Sequence, residues 1–521
     1  MSILLTGAQM KAREMEQISA GSVTGLELME RAGAGVVDAV LARWPRLAEA
    51  PGRAVILCGP GNNGGDGFVV ARLLAVRGWA VQLGLLGDPG ALPPDAAANK
   101  MLWEGQGKTL SLEEAAGQAP GADLVVDALF GTGLSRALSP DLAALLARAL
   151  GAARHGVAVD ILSGLCADSG RWLGEDPGYC ADLTVTFHGA KPGHVLGAGG
   201  EAGGSLEVVD IGLPGEGSDE NRGTGGGTEV AELLADPRFC ALVAKKQAGA
   251  HKYGHGHALV LTGGAGKTGA ARLAARAALR IGAGLVTLGV APGAEAEVAS
   301  QVTALMMQPL AGASDLAALL EDPRFNALCL GPGLGIERAR ELVPVAQEAA
   351  QDDDRGLVLD ADALSAFGSD PQALFAALPA RAVLTPHGGE FARLFPDLSE
   401  RLSDPATRGP AFSRVDAARE AAHRAGCVVL MKGADTVIAA PDRRVRVHAA
   451  LGARAAPWLA TAGSGDVLSG VICGLLARGF PAFDSAAMGV MLHVEGARHF
   501  GPGLIAEDLP EALPAVLRAL E

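Results

Sequence analysis

The chain has 521 residues, 49% hydrophobic and 4% aromatic, with 73 glycines and a formal net charge of -15. That apolar fraction can build large cores, and abundant glycine with few aromatics points to small-residue packing and tight turns. An acidic balance with no basic block excludes a nucleic-acid or anionic-membrane surface, so any nucleotide is bound as a small molecule.

At about 150 residues per domain the length allows three or four domains, but two large α/β units are the simpler reading. The seven cysteines, at 58, 166, 180, 240, 329, 427 and 473, contain no C-x-x-C pair, so neither a disulfide framework nor a zinc site is indicated. The opening MSILLTGAQMKAREME has no basic leader before a long apolar run, and no stretch approaches the ~18 apolar residues of a membrane span. A cytoplasmic protein without a membrane partner is expected.

From Arg53 onward, strands are predicted at 54–58, 81–86, 123–130, 157–162 and 183–187, with a helix over about Phe68 to Val76. Such alternation predicts a doubly wound parallel sheet, a Rossmann-like three-layer α/β/α domain over 1–216. The loop GPGNNGGDGFVVAR at 59–72 follows a strand, and Gly59, Gly61 and Gly64 match G-x-G-x-x-G. A dinucleotide turn with Asp88 as ribose acceptor is one reading. It leaves Asn62, Asn63 and Asp66 without a role, since the loop runs on through Gly65, Asp66 and Gly67.

Strand ends supply a role. Asp127 ends the third strand, Asp160 ends the fourth and Ser163 follows, all at carboxyl ends of parallel strands, where open α/β sheets bind ligands. With Asn63 they form a hard-oxygen set suited to an alkali or alkaline-earth cation, while a further carboxylate can act as acid and base. For any single Asp, a polar loop residue capping a helix is the better account, and it is the set taken together that points to a site.

Pro214 to Thr228 (PGEGSDENRGTGGGT) has linker composition, and the boundary is placed there, with 217–228 as linker. The α/β pattern restarts in 229–521 with HALVLTGG at 257–264, a long Ala-rich helix to about Ile281, then LVTLGV, ALCLGPG, LVLDADA, AVLTPH and CVVLMKG. DTVIAAP at 435–441 and RRVRVHA at 443–449 predict a hairpin turning at Pro441 and Asp442. GGAGKTGA at 263–270 fails as a Walker A loop because Leu261 stands where its first glycine is required, so Lys267 is expected to be exposed. His251, His255 and His257 have no carboxylate or cysteine close by in sequence, and a metal site is not expected there.

LATAGSGDVLSG at 459–470 opens a helix whose free N–H groups and positive dipole end suit phosphate. Asp466, one residue past that cradle, would be repelled by phosphate unless it takes a proton from an attacking hydroxyl. The plainer account is a carboxylate in the favourable first turn of a helix. GPGLG at 331–335, DADAL at 360–364, TPHGGE at 385–390 and MKGADT at 431–436 bring His387, Glu390 and Lys432 to the same sheet edge. Lys432 is either a phosphate partner or solvated surface.

GNNGGDG at 61–67, DALFGTGL at 127–134 and VDILSGLCADSG at 159–170 together resemble the NAD(P)H-hydrate epimerase family. The resemblance implies that Asn63, Asp127 and Ser163 bind potassium and that Asp160 is the acid–base residue. It further implies that Asn62, Asn63, Gly64, Gly65 and Asp66, with Gly131, Thr132, Gly133, Leu134, Ser135, Arg136 and Ala137, bind the substrate. Leu162 departs from the family's usual proline.

The ordered set HKYGHGHALVLTGG, GPGLG, DADAL, TPHGGE, MKGADT and LATAGSGDVLSG is similar to the ribokinase-like, ADP-dependent NAD(P)H-hydrate dehydratases. This implies a second, ribokinase-like α/β domain. His387, Gly388, Gly389 and Glu390, on to Arg393, with Gly333 would line the substrate side. Lys432, Gly433, Ala434, Asp435 and Thr436, with Thr461, Ala462, Gly463, Ser464 and Gly465, would hold ADP, and Asp466 would be catalytic. Ser365 stands where asparagine often follows DADAL.

Together the resemblances imply repair of NADH-hydrate and NADPH-hydrate with ADP as co-substrate, magnesium on its phosphates, and a homo-oligomer. One alternative is an ATP-dependent kinase of a small alcohol, against which the fused first domain argues. Another is a first domain that only binds or senses a ligand.

Overall fold

The computed structural model describes residues 2–214, 231–246, 249, 251–352 and 354–521. The segment read as a linker, 217–228, lies outside the described residues. The chain divides into two compact units, one of Ile3–Val230 with Asp404–Ser413 and one of Met1–Ser2, Ala231–Ser403 and Arg414–Glu521.

In the unit that begins at Ile3, seven strands run in the order Thr109–Ser111, Ala80–Leu85, Arg53–Cys58, Leu124–Ala128, His155–Val159, Leu183–Phe187 and Ser205–Val209. All neighbouring pairs are parallel. Strand Arg53–Cys58 shows why its sequence is an unbroken apolar run: Ala54, Ile56 and Cys58 enter the core on one face, Val55 and Leu57 the core on the other. Thr24 and Glu27 form a capping box that starts helix Gly25–Arg43, which packs on helix Asn62–Val76.

That second helix begins well before Phe68. Its first turns are the glycine-rich segment, with Gly61 as a cap that has no side-chain bond. Glycine is tolerated because a Cβ at Gly64 would lie 2.0 Å from the Gly59 carbonyl oxygen and one at Gly67 2.7 Å from Cys58 Sγ. Close packing overrides helix propensity here.

The other unit's sheet runs Ala231–Leu233, Val445–Ala449, Asp435–Ala439, Val428–Met431, Ala382–Leu384, Gly356–Leu359, Phe325–Leu330, His257–Leu261, Leu285–Val290 and Met306–Pro309. The predicted hairpin is present as the antiparallel pair Asp435–Ala439 and Val445–Ala449. Helix Ser464–Ala477 packs on helix Gly269–Arg280 backbone to backbone, since a Cβ at Gly470 would lie 2.0 Å from the Ala274 carbonyl oxygen. Ala271, Ala274 and Ala278 of helix Gly269–Arg280 and Val467, Val471 and Ile472 share one core with Val260, Cys329 and Val358 from the strands. This contact fixes where the Gly463–Asp466 turn meets the strand ends. No described helix is long and apolar enough to cross a membrane.

Candidate active sites

Asp160 follows strand His155–Val159 with φ at +65°, a left-handed conformation that for a side chain other than glycine costs on the order of 1–3 kcal/mol. Two backbone bonds hold it there: its N–H donates to the Val185 carbonyl at 2.7 Å, and its carbonyl accepts from His194 Nε2 at 2.8 Å. The tautomer follows, because His194 Nδ1 accepts the Lys191 N–H at 2.9 Å. Burial, then Lys191, lowers His194 to about 4, so the ring is neutral at pH 7.

The carboxylate is fully engaged. Oδ1 accepts from Lys191 Nζ at 3.1 Å and Thr186 Oγ1 at 3.0 Å, and Oδ2 accepts the Thr132 N–H at 2.9 Å. Burial would raise its pKa, but Lys191, the Thr132 N–H and His194 outweigh it and bring it to about 2. Asp66 goes the other way. Burial, then the charges of Asp160 and Glu14, push it well above the carboxylate range. Two neighbouring carboxyl groups are thus driven in opposite directions.

Asp127 is buried, with Oδ1 accepting the Ser163 hydroxyl at 2.7 Å and Oδ2 the Ser163 N–H at 2.8 Å. Burial outweighs those bonds and raises Asp127 to about 6. Asn63 borders Asp160 across Gly131, where a Cβ would lie 2.7 Å from Asp160 Oδ2 and 3.0 Å from Asn63 Oδ1. The buried Asn63 Nδ2 has no hydrogen-bond partner. The structure thus joins Asp127 to Ser163 and sets Asn63 beside Asp160. Gly64 and Gly65 are buried packing positions, Asn62, Gly133, Ser135, Arg136 and Ala137 are exposed, and Leu134 is half-buried.

In the other unit, Gly463 takes φ +90° and starts helix Ser464–Ala477 without a side-chain cap. The Ser464 hydroxyl turns away to donate to the Leu459 carbonyl at 2.9 Å, and the Gly463–Gly465 backbone stays half-exposed. Burial, then the charges of Asp360, Asp362 and Glu390 against Lys432, raises Asp466 to about 6. Lys432 is not solvated surface. Its ammonium lies 2.7 Å from Asp360 Oδ1 and 4.0 Å from Glu390 Oε2.

His387 caps helix Gly388–Leu394, its Nδ1 accepting the Gly389 N–H at 3.0 Å while Glu390 accepts the His387 N–H at 2.9 Å. Asp435 pairs with Arg414 at 3.2 Å and Thr436 donates to the Gly433 carbonyl at 2.8 Å, so these two side chains serve the fold. Gly333 has φ +64° and lies against Lys267 and Ala270. Ser365, at the position of departure, accepts from Arg393 at 3.0 Å.

Lys267 is exposed, and Glu297 accepts the Gly266 N–H at 2.6 Å and the Thr268 hydroxyl, which removes those groups from any phosphate-binding role. His257 is buried against Thr287 at 2.8 Å. Among the described residues no three His, Cys, Asp or Glu side chains are grouped to hold a metal. The sequence reading missed Lys191, Thr186, His194, Asp360 and Ser469. The first three lie in or after strand Leu183–Phe187, within TVTFHGAKPGH, whose polar end was the available signal.

Residues 25–193 match the family model described as YjeF-related protein N-terminus, and residues 258–513 the model described as NAD(P)H-hydrate dehydratase. The chain is 37% identical over 546 residues to the bifunctional NAD(P)H-hydrate repair enzyme Nnr of Moorella thermoacetica, covering 99% of this chain and 97% of that protein. Its first part is 49% identical over 200 residues to the NAD(P)H-hydrate epimerase of Rhodobacter capsulatus, covering 37% of this chain and 92% of that one. Among solved structures, an ADP/ATP-dependent NAD(P)H-hydrate dehydratase from Bacillus subtilis co-crystallized with ATP/Mg2+ is 27% identical at a TM-score of 0.44, covering 54% of this chain and 96% of that one. The similarity to the Moorella protein spans both sites at nearly full length, and the chain belongs to the family of bifunctional NAD(P)H-hydrate repair enzymes.

Proposed function

We infer that the protein repairs hydrated NADH and NADPH in two steps, epimerising the R and S forms in 1–216 and dehydrating the S form with ADP in 229–521. The observation that carries this reading is the pair of carboxylates, Asp160 at a strand end and lowered to about 2, Asp466 in the first turn of helix Ser464–Ala477 and raised to about 6, within a chain of this family.

In the epimerase, the ionised Asp160 moves a proton on and off the substrate near nicotinamide C6, with Asp66 on the protonated side of the pair. Lys191 and the Thr132 N–H keep Asp160 charged and aimed at the crevice. Asp127, Ser163 and Asn63 fit a potassium ion by the hard-oxygen chemistry of their donor set. When bound, that ion supplies fixed positive charge to a buried carboxylate.

In the dehydratase, Asp466 takes the proton of the C6 hydroxyl as the ADP β-phosphoryl group passes to that oxygen, with the N–H groups of Gly463 to Gly465 and the Lys432 ammonium stabilising the phosphoryl oxygens. AMP leaves. Loss of phosphate from C6, with a proton released from the adjacent C5 to solvent as the C5–C6 double bond forms, then regenerates the dihydronicotinamide, phosphate being a far better leaving group than hydroxide. The surplus of carboxylates around Lys432 fits a magnesium ion carried on the nucleotide, which would neutralise phosphate charge.

The test is recovery of reduced-nicotinamide absorbance from mixed R and S NADH-hydrate with ADP, with ATP and with neither. Complete recovery with ADP is expected. Recovery that stops at the S fraction would remove the epimerase step, and none with either nucleotide would remove the dehydratase.

A further inference from the structure

Lys432 occupies a position that electrostatics disfavours. A Cβ at Gly465 would lie 3.4 Å from its Nζ, so the ammonium sits at the N-terminal end of helix Ser464–Ala477, where the dipole is positive. It is held there by Asp360, whose Oδ1 lies 2.7 Å from Nζ. Asp360 is 1% exposed, and its other oxygen accepts the Ser469 hydroxyl at 2.7 Å.

Ser469 is three residues past Asp466, so both lie on one face of the helix. Its hydroxyl also reaches the Gly465 carbonyl at 3.1 Å. The helix that carries the phosphate cradle and the base is thereby tied to the carboxylate that holds the lysine. A buried ion pair set against a helix dipole gains little as structure. It gains when an anion arrives between the ammonium and the helix N–H groups.

We propose that Asp360, anchored by Ser469, is a positioning residue for the ADP-dependent reaction: it pins the Lys432 ammonium beside Gly465, where the nucleotide phosphates bind, and sets a fixed negative charge near Asp466. Asp360 acts through Lys432 and Asp466. The groups that face Asp466 are Asp360, Lys432, Asp362 and Glu390, with the neutral His493 bonded to the Ser464 carbonyl at 2.9 Å. Of these, Asp360 is the strongest charge raising Asp466. Removing it therefore lets Asp466 ionise at lower pH.

The inference rests on the dehydratase reading, and the experiment separates the two. Full-length wild type, Asp360→Asn and Ser469→Ala are compared for ADP affinity by calorimetry, for KM and kcat in dehydration, and for the acid limb of its pH profile. Circular dichroism and the thermal melt of the same samples report whether the unit that carries Asp360 and Ser469 is folded. For Asp360→Asn, ADP binding should weaken about tenfold or more, and the acid limb should move down by roughly one pH unit. For Ser469→Ala, ADP binding should weaken about threefold with the limb unmoved.

Wild-type ADP affinity and an unmoved limb in Asp360→Asn would overturn the proposal. If that variant does not fold, Ser469→Ala decides, wild-type affinity there counting against it and weakened affinity for it. A wild-type enzyme that binds ADP without dehydrating would sink the assigned reaction, while the calorimetric comparison still tests Asp360.

Discussion

Lys191 and Asp160 form an ion pair of 3.1 Å in which the lysine side chain is 1% exposed and also donates to Thr186 and the Phe187 carbonyl. Without the lysine, burial favours protonation of Asp160, opposed by the Thr132 N–H and His194. A base must be ionised to work, so the acid limb of epimerase kcat/KM should rise in Lys191→Met by about one pH unit or more. An unchanged pH profile in the folded variant would show that Lys191 serves only the fold.

Asp466→Asn should lower dehydration by about 10²- to 10⁴-fold and leave epimerisation unchanged, the usual range for a lost general base. In the wild type, burial and Asp360 raise Asp466 to about 6, so dehydration kcat/KM should fall as pH drops through about 6. Steady-state kinetics between pH 4.5 and 8 (roughly the span in which such a group titrates) check both points.

Gly131→Ala places a methyl group 2.7 Å from Asp160 Oδ2 and 3.0 Å from Asn63 Oδ1. Epimerase activity should drop about tenfold or more through misplacement of Asp160. Dehydration by the same sample should match wild type.

Replacing potassium by tetramethylammonium should lower the wild-type melting temperature by about 2–4 °C, since an ion bound only by the folded chain stabilises it by mass action. Asp127→Asn should abolish that response. Persistence of the potassium effect in the variant would move the ion elsewhere.

Gly470→Val forces a branched side chain against the Ala274 backbone and should destabilise the chain by about 1–3 kcal/mol in urea titration. Dehydration should fall as well, because helix Ser464–Ala477 carries Asp466. Leu162→Ile, a volume-conserving change at a buried position, serves as the quiet comparison.

The alternation of short strands and helices was legible because each strand is buried on both faces and so reads as a continuous apolar run. Strand ends in turn located Asp127 and Asp160, since parallel sheets gather loops at one edge, while the glycine-rich helix start located Asp466. The glycine segment was misjudged as loop: helix propensity argues against Asn62–Gly67, and only packing against Gly59 and Cys58 makes a helix of it. Lys432 was visible as a residue but not as an ion pair, because nothing near it in sequence identifies its partner.

Local pattern by itself determined the two α/β halves and singled out the glycine-rich helix start and Asp466 as candidates, since period, turn chemistry and motif spacing are properties of neighbouring residues. Tertiary structure alone decided the charge states. Lys191 meets Asp160 from 31 positions away and Lys432 meets Asp360 from 72. Those pairings depend on strand order and on close packing through residues such as Gly470, and the balance of burial against paired charge that sets each pKa exists only once the sheet has formed.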